Sequence, residues 1–436
     1  MGSGCPYYGS VPSGVNESET SRRTRDAAAW ALREAGVTHV VYGWPHRAWG
    51  GSQRYLLTLM RHLPDTVRRS VVLPEGSDPA LLAEIAAAGA TCSTIPVALA
   101  DRRPDSFARR VRDHWDAWRV AWHLWRTCRT LASPGSVLHL DVMPTLMTEP
   151  LARLARRAAV VGTLHTRIPR LSASRTRAWR LRLSRLEAAT GYRLIAANRD
   201  VRQSLEPFVS PAMLARVPLA YSPVDADEVE RVRAALGPVG SAHRRAVRQK
   251  VGASDTDLLV VTGAQRIPRK GCDVLRQAAA LVCATHPEAR FVWVAPETTA
   301  AADDAGEVRV VSQAAIGGTR QDYLEVVGAA DLFVLPSLED GLPLAIVEAM
   351  ALGIPVVSTR VNGIPEAVLD GVTGLLVEPG QVQALARAVT ALLNDATHRE
   401  NMSAAGRAHA RLFHADAMVR TTFGVYAEAT AAVRRQ

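Results

Sequence analysis

Lysine is almost missing from this chain. Of its 52 basic residues only Lys250 and Lys270 are lysines. Arginine stands nearly everywhere else, so a retained lysine marks a place suited to a compact ammonium rather than a planar fork. Long apolar runs are missing too. None reaches the roughly 18 residues that a membrane-spanning helix needs. No apolar stretch follows a basic start at the N-terminus, so a secretory leader is not expected. The cysteines at 5, 92, 128, 272 and 283 include no C-x-x-C and are too scattered for a zinc site or a disulfide framework, which suits a reducing cytoplasm. Neither G-x-G-x-x-G nor the Walker phosphate loop occurs, which removes the usual dinucleotide and NTPase fingerprints.

What is present is ordinary globular material. The 436 residues are 48% hydrophobic and 22% charged, enough for two or three domains. The net charge of +10 is unevenly spread. Residues 1–250 hold 37 basic and 21 acidic side chains, whereas residues 251–436 hold 15 and 21. A basic first half suits an anionic membrane surface, nucleic acid or an acidic substrate, and a general bias toward arginine accounts for it equally well.

Residues 1–25 are rich in Gly, Ser, Pro and Glu and read as a disordered tail. From residue 37 short apolar runs alternate with helical stretches. Strands are expected at 38–42, 70–73, 137–140, 159–164 and 193–197, and again at 258–262, 290–295, 308–311, 332–335, 355–358 and 374–377. Alternation of this kind implies an α/β chain with two doubly wound, Rossmann-like domains of parallel sheet facing a cleft. Their expected bounds are 26–220 and 257–412, with a linker region over 221–256. A last helix, 413–436, is long enough to return to the first domain. Ligands of such sheets bind at the carboxyl ends of the strands.

One stretch stands out for its chemistry. An apolar strand ends at Pro336-Ser337, then come Glu339, Asp340, Gly341, Leu342 and Pro343, and an apolar helix carries Glu348. A helix N-terminus there favours anions. A carboxylate on a buried helix face needs donors. Ribose hydroxyls or a structural arginine would each satisfy Glu348.

This stretch resembles the signature of glycosyltransferase family 4, retaining enzymes of GT-B fold also grouped as glycosyl transferases group 1. That family sets two acidic residues eight positions apart around a Gly-Leu/Phe-Pro turn; here they are Asp340, in place of the usual Glu, and Glu348. The resemblance continues through Gly263–Asp273 with its Arg-and-Lys-Gly pattern, Ala329-Ala330-Asp331, Ala349–Val357, Gly363-Ile364-Pro365-Glu366 and Asp370–Val377, all in the family's order. In the first half, Gly50-Gly51, Thr163-Leu164-His165-Thr166 and Ile195–Asn198 resemble the family more weakly. Three departures stand out. Ser222-Pro223-Val224-Asp225 replaces the hinge turn Asn-Gly-Val-Asp. Ala295-Pro296-Glu297 replaces a Gly-x-Gly. Arg266 lies four residues before Lys270 where five is commoner, so Gln265 is the other alignment of the family Arg.

The resemblance implies a metal-independent retaining glycosyltransferase that moves a sugar from a nucleotide-diphosphate sugar to a hydroxyl acceptor such as a glycolipid, a saccharide or a secondary metabolite. The first domain would then bind acceptor and the second the nucleotide sugar, with no cofactor. Lys270 and Arg266 would face the departing diphosphate, and the helix beginning near Pro343 would add its dipole. Glu348 would hold the ribose. Asp340, or Glu339, would meet the sugar, with Gly341, Leu342 and Pro343 in the same turn. His165 and the Gly50-Gly51 loop would approach the donor from the first domain. His46 is a candidate for the acceptor side. Glu366 reads as a helix cap in preference to a nucleotide contact. Trp115, Trp118, Trp122 and Trp125 fall on one helical face and read as a packing stripe in preference to an acceptor platform or an interfacial helix on anionic lipid. A cytoplasmic protein, with peripheral contact at the inner membrane face, is consistent with the charge. A nucleotide-sugar 2-epimerase of the same fold and a non-catalytic basic binding protein are the rivals, although no nucleic-acid module is recognisable.

Overall fold

The computed structural model describes residues 17–45, 51–98, 107–141, 148–295 and 306–435. Two six-stranded sheets, parallel throughout, form two Rossmann-like domains. In the first, β1 (His39–Gly43), β2 (Arg68–Pro74), β3 (Thr91–Ile95), β4 (Ser136–Leu140), β5 (Ala159–Leu164) and β6 (Tyr192–Ala196) take the order β3-β2-β1-β4-β5-β6. In the second, β7 (Leu258–Gly263), β8 (Ala289–Ala295), β9 (Val308–Ser312), β10 (Leu332–Leu335), β11 (Val356–Thr359) and β12 (Gly374–Val377) take the order β12-β11-β10-β7-β8-β9. The two orders are the same winding. In each the strand order reverses between two central neighbours, β1 and β4 or β7 and β10, and the crevice at that reversal is where an open sheet takes a ligand.

The central strands are buried on both faces, as helix-covered parallel strands must be, and therefore read as apolar runs. The strand that the sequence does not announce is β3. Its residues Thr91–Ile95 lie at the sheet edge and only Ile95 is buried, so no apolar run marks it.

Two expected boundaries and one expected packing face are corrected. The tail expected over 1–25 is already helical from Glu17, where the helix Glu17–Ala35 begins; its Ala28 and Leu32 pack into the first-domain core beside the last helix. Residues 1–16 lie outside the described residues. The linker expected over 221–256 is mostly part of the second domain. Its helices Ala226–Leu236 and Ala242–Lys250 bury Val229, Val232, Leu236 and Val247 in that domain's core. Buried Arg248 clamps them there, donating to the carbonyls of Ser254 and Ala329 and to Asp331 at 2.8–3.1 Å. The stripe of four tryptophans is a packing stripe only at Trp125; Trp115, Trp118 and Trp122 are exposed, because the core-facing positions of their helix are Val120, Ala121, Leu124 and Cys128.

The chain crosses between domains twice, and the crossings run side by side: Val224 N–H donates to Phe413 O and Ala415 N–H to Val224 O. The last helix, Ala415–Arg434, then packs on the first domain through Met418, Phe423 and Tyr426.

Candidate active site

At the second-domain reversal, the segment after β7 meets the segment after β10. The backbone fixes this meeting. Gly271 has φ +76°, and a Cβ there would lie 2.0 Å from the carbonyl oxygen of Pro336, so only glycine allows the approach. Leu338 N–H donates to Arg269 O at 2.8 Å, tying the two turns together. Lys270 Nζ is thereby delivered to the Asp340 carboxylate, with which it forms an ion pair. Ser337 Oγ also donates to Asp340, at 3.1 Å, and the Arg269 guanidinium stands 3.7 Å away. Asp340 is buried while Glu339 is exposed, so of the two neighbouring carboxylates it is Asp340 that faces inward. Arg266 and Gln265 are both exposed on the loop after β7, and neither alignment of the family Arg is singled out.

Gly341 and Leu342 lead into the helix Leu344–Leu352, with Pro343 at its N-cap position. Glu348 lies on this helix, 2% exposed. Its partner is Arg320, whose Nη2 donates to Glu348 Oε1 at 2.5 Å. The same guanidinium donates from Nε to both oxygens of Glu228, at 3.0 and 2.9 Å. Burial opposes the charge on Arg320, but the Glu348 and Glu228 carboxylates outweigh it and hold the guanidinium above its ordinary value. Arg54, on the first-domain helix Gly51–His62, lies in the field of this cluster. Burial and then the Arg320 charge lower its pKa, against the pull of Glu228 and Glu348.

The first-domain reversal has a different character. Tyr42, Gly43, Trp44, Tyr55, His139, Asp141 and His165 line a small pocket at the ends of β1, β4 and β5. His165 follows β5 and lies edge-on to Tyr55, ring centroids 5.1 Å apart. It also faces the second domain: a Cβ built on Gly341 would be 3.8 Å from the His165 carbonyl oxygen. His139 bonds Tyr426 of the last helix at 2.5 Å and Thr163 at 2.7 Å. Burial pushes its pKa down to about 3, so it is neutral. Burial pushes the Asp141 carboxyl the other way, up to about 7.

Glu366 does not cap its own helix. It crosses to the first domain, where its carboxylate accepts from the backbone N–H of Arg199 (2.9 Å) and Asp200 (3.1 Å) and from Tyr221 Oη (3.0 Å). His46 and Gly50 lie outside the described residues, and Gly51 begins the helix Gly51–His62. Sequence reasoning named Lys270, Asp340, Glu348 and His165 as candidates and did not name Arg320, Glu228, Arg54 or Asp141. No local spacing marks these four; only the fold brings them to the reversals. Two Asp-x-Asp pairs occur, Asp225/Asp227 and Asp255/Asp257. Asp225 caps the helix Ala226–Leu236 and Asp257 accepts from Ser254. Among the described residues no three His, Cys, Asp or Glu side chains gather as a metal site. No described helix is long and apolar enough to cross a membrane.

Comparison with known proteins bears on the fold and on the second domain. The family model described as glycosyl transferases group 1 matches residues 256–395. A GDP-mannose-dependent monoacylated α-(1-6)-phosphatidylinositol monomannoside mannosyltransferase of Corynebacterium glutamicum is 33% identical over 39% of this chain and 47% of its own. A D-inositol 3-phosphate glycosyltransferase of Streptomyces griseus is 30% identical over 44% of each chain. The chain thus spans slightly under half the length of these relatives. Among solved structures, a glycosyltransferase from Rickettsia africae superposes with TM-score 0.68 at 15% identity, covering 90% of this chain and 98% of that one. Anabaena HepE in complex with UDP gives 0.63 at 17%, covering 88% and 98%. The fold is GT-B, and it is the second domain that is similar to the group 1 glycosyl transferases.

Proposed function

We propose that this protein is a retaining, metal-independent glycosyltransferase that moves a sugar from a nucleotide-diphosphate sugar to a hydroxyl acceptor on a glycolipid, a saccharide or a secondary metabolite. The observation that carries the reading is the Lys270–Asp340 ion pair at the β7/β10 reversal, with buried Glu348 on the helix that follows and the His165 backbone opposite. Breaking a glycosidic bond to a diphosphate builds negative charge on the departing oxygen. Preorganised cations and helix amides aimed at that charge lower the barrier. Lys270 is held for this by Asp340, and the free amides before Ile346 add to it. With protein cations in that role no metal is required.

Glu348 keeps one carboxylate oxygen on Arg320 and offers the other to ribose. Asp340, already holding Lys270, meets the transferred sugar, and Glu339 stands at the rim. His165 approaches the donor sugar from the first domain, whose crevice at the ends of β1 and β4 faces the acceptor hydroxyl. The Corynebacterium relative is named as GDP-mannose-dependent, and HepE was crystallised with UDP-glucose, which supports a nucleotide-sugar donor. The relatives carry transferase names, which favours transfer over epimerisation. The reading places the protein in the cytoplasm and includes peripheral contact between its basic first half and an anionic membrane.

The test is turnover of nucleotide sugars with and without excess EDTA, with the anomeric configuration of the product read by NMR. Activity that survives EDTA and a product of retained configuration are expected. Loss in EDTA restored by Mg²⁺ or Mn²⁺, or an inverted product, would contradict the proposed chemistry.

A further inference from the structure

The helix Phe107–Leu131 carries a face that the fold leaves uncovered. Tryptophans at 115, 118, 122 and 125 follow one another at helical spacing, and their rings touch in sequence. Centroids are 6.3 Å apart for Trp115–Trp118, 5.9 Å for Trp118–Trp122 and 5.1 Å for Trp122–Trp125, the middle pair stacked at 10°. Exposure rises along the ladder: Trp125 packs on the core, while Trp122, Trp118 and Trp115 are 39%, 46% and 62% exposed. Three neighbouring exposed indoles are costly to leave in water, and a contiguous apolar patch of this kind marks a contact surface.

The surroundings choose the partner. Arg119, Arg126 and Arg129 stand exposed beside the ladder, Arg119 paired with Asp116 of the same helix at 3.4 Å, and the Arg129 guanidinium lies 4.9 Å over the Trp125 ring. In the same helical layer, the helix Ala173–Glu187 exposes Leu181 among Arg175, Arg177, Arg180, Arg182 and Arg185. That helix has one acid, Glu187, which is engaged by Ser210. Indole rings favour the zone between headgroups and acyl chains, and guanidinium groups pair with lipid phosphates. We infer that the tryptophan face of this helix docks the protein on an anionic lipid bilayer.

The geometry also orients the docked molecule. The helix connects β3 to β4 and so runs against the strands, its start on the side of their carboxyl ends. At 1.5 Å per residue its 25 residues span about 37 Å, well beyond five-residue strands. Among its described residues the first buried one is Val120, and Trp115 and Trp118 lie nearer the start of the helix. A bilayer held there would lie at the mouth of the β1/β4 pocket, which suits a hydroxyl acceptor anchored in lipid; this last step rests on the transferase reading, whereas the docking does not.

The experiment is cosedimentation of the full chain with vesicles of phosphatidylcholine alone or mixed with phosphatidylglycerol, without nucleotide sugar. Wild type is expected to bind the mixed vesicles, with a blue shift of tryptophan fluorescence, and to bind pure phosphatidylcholine weakly. Trp115→Ser with Trp118→Ser is expected to weaken binding to mixed vesicles by about tenfold or more. Arg119→Gln with Arg126→Gln is expected to weaken it to a similar extent, about tenfold. An unchanged melting temperature checks that each variant is folded. Wild type that stays in the supernatant, a tryptophan variant that sediments like wild type, or a lipid-independent dimer that the tryptophan substitutions dissolve would overturn the proposal. Because no donor is present, failure here leaves the transferase reading standing, and failure of donor turnover leaves the docking standing.

Discussion

The two domains share one winding and part in their chemistry. At the reversal of the first sheet the pocket is aromatic and close to neutral: Tyr42, Trp44 and Tyr55 surround a histidine that burial keeps uncharged and an aspartic acid that burial holds near neutrality. At the same place in the second sheet, Lys270 faces Asp340 and Arg320 faces both Glu348 and Glu228. Outside the sites the contrast inverts, with the first half strongly basic and the second mildly acidic. The winding therefore decides where a ligand is met, and the residues at the strand ends decide what it is. A neutral aromatic pocket suits a hydroxyl, and a charge-paired one suits a diphosphate.

The sharpest way to break this comparison is to remove the cation that the second site is built around. Arg320→Met leaves Glu348 and Glu228 facing each other without a donor. The expected loss is about 3–5 kcal/mol of stability, as for stripping one partner from a buried ion pair. Chemical unfolding should report it in the transition of the second domain; a loss of less than about 1 kcal/mol would mean the cluster is solvated and carries no weight.

Next comes Lys270→Ala, which should lower turnover about 100-fold while leaving the fold intact, the scale of losing one preorganised donor. Lys270→Arg should also be impaired, because a planar guanidinium does not reproduce the shape of a compact ammonium. Steady-state kinetics would check both, and full activity in Lys270→Ala would remove the role given to it.

A smaller effect should come from the join between the domains. Glu366→Ala removes the acceptor for Arg199 N–H, Asp200 N–H and Tyr221 Oη, at a cost of about 1–3 kcal/mol. The domains should then open more easily, which small-angle scattering would register as a larger radius of gyration. No change would mean that the paired crossings at Val224 and His414 hold the arrangement by themselves.

The smallest effect is a matter of sign within the first pocket. The folded-state pKa of His139 lies below its unfolded value, so its contribution to stability is lost as pH falls from about 6.5 to about 3. The folded-state pKa of Asp141 lies above its unfolded value, so its contribution is lost as pH rises from about 4 to about 7. The two oppose each other across the shared window. Asp141→Asn should therefore steepen the rise of stability between pH 4 and pH 6.5, which urea unfolding at several pH values would measure.

Much of this was legible in the residues, and the limits are physical. Buried parallel strands such as β7 and β10 announce themselves as apolar runs, and the turn from Ser337 to Pro343 with Glu348 behind it carries its chemistry in local spacing. Edge strand β3 has one buried residue and left no run to find. The arginine that meets Glu348 comes from a separate helix 28 positions earlier, a contact no periodicity encodes. Glu366 looked like a cap and is one, but for the other domain. The tryptophan ladder has the spacing of a core stripe, yet Val120, Ala121, Leu124 and Cys128 take the core-facing positions of its helix, so three of its four rings meet solvent.

The central claim is that the β7/β10 reversal binds a nucleotide-diphosphate sugar through Glu348 and Lys270. Thermal unfolding of the wild type and of Glu348→Gln in the presence of UDP-, GDP-, ADP- and dTDP-sugars tests it most directly. A ligand at about 100 times its dissociation constant adds about 2.7 kcal/mol to the folded state. One nucleotide class should raise the wild-type midpoint, and the rise should shrink sharply in Glu348→Gln. A rise that is the same in both proteins, or no rise with any of the four, would contradict the account.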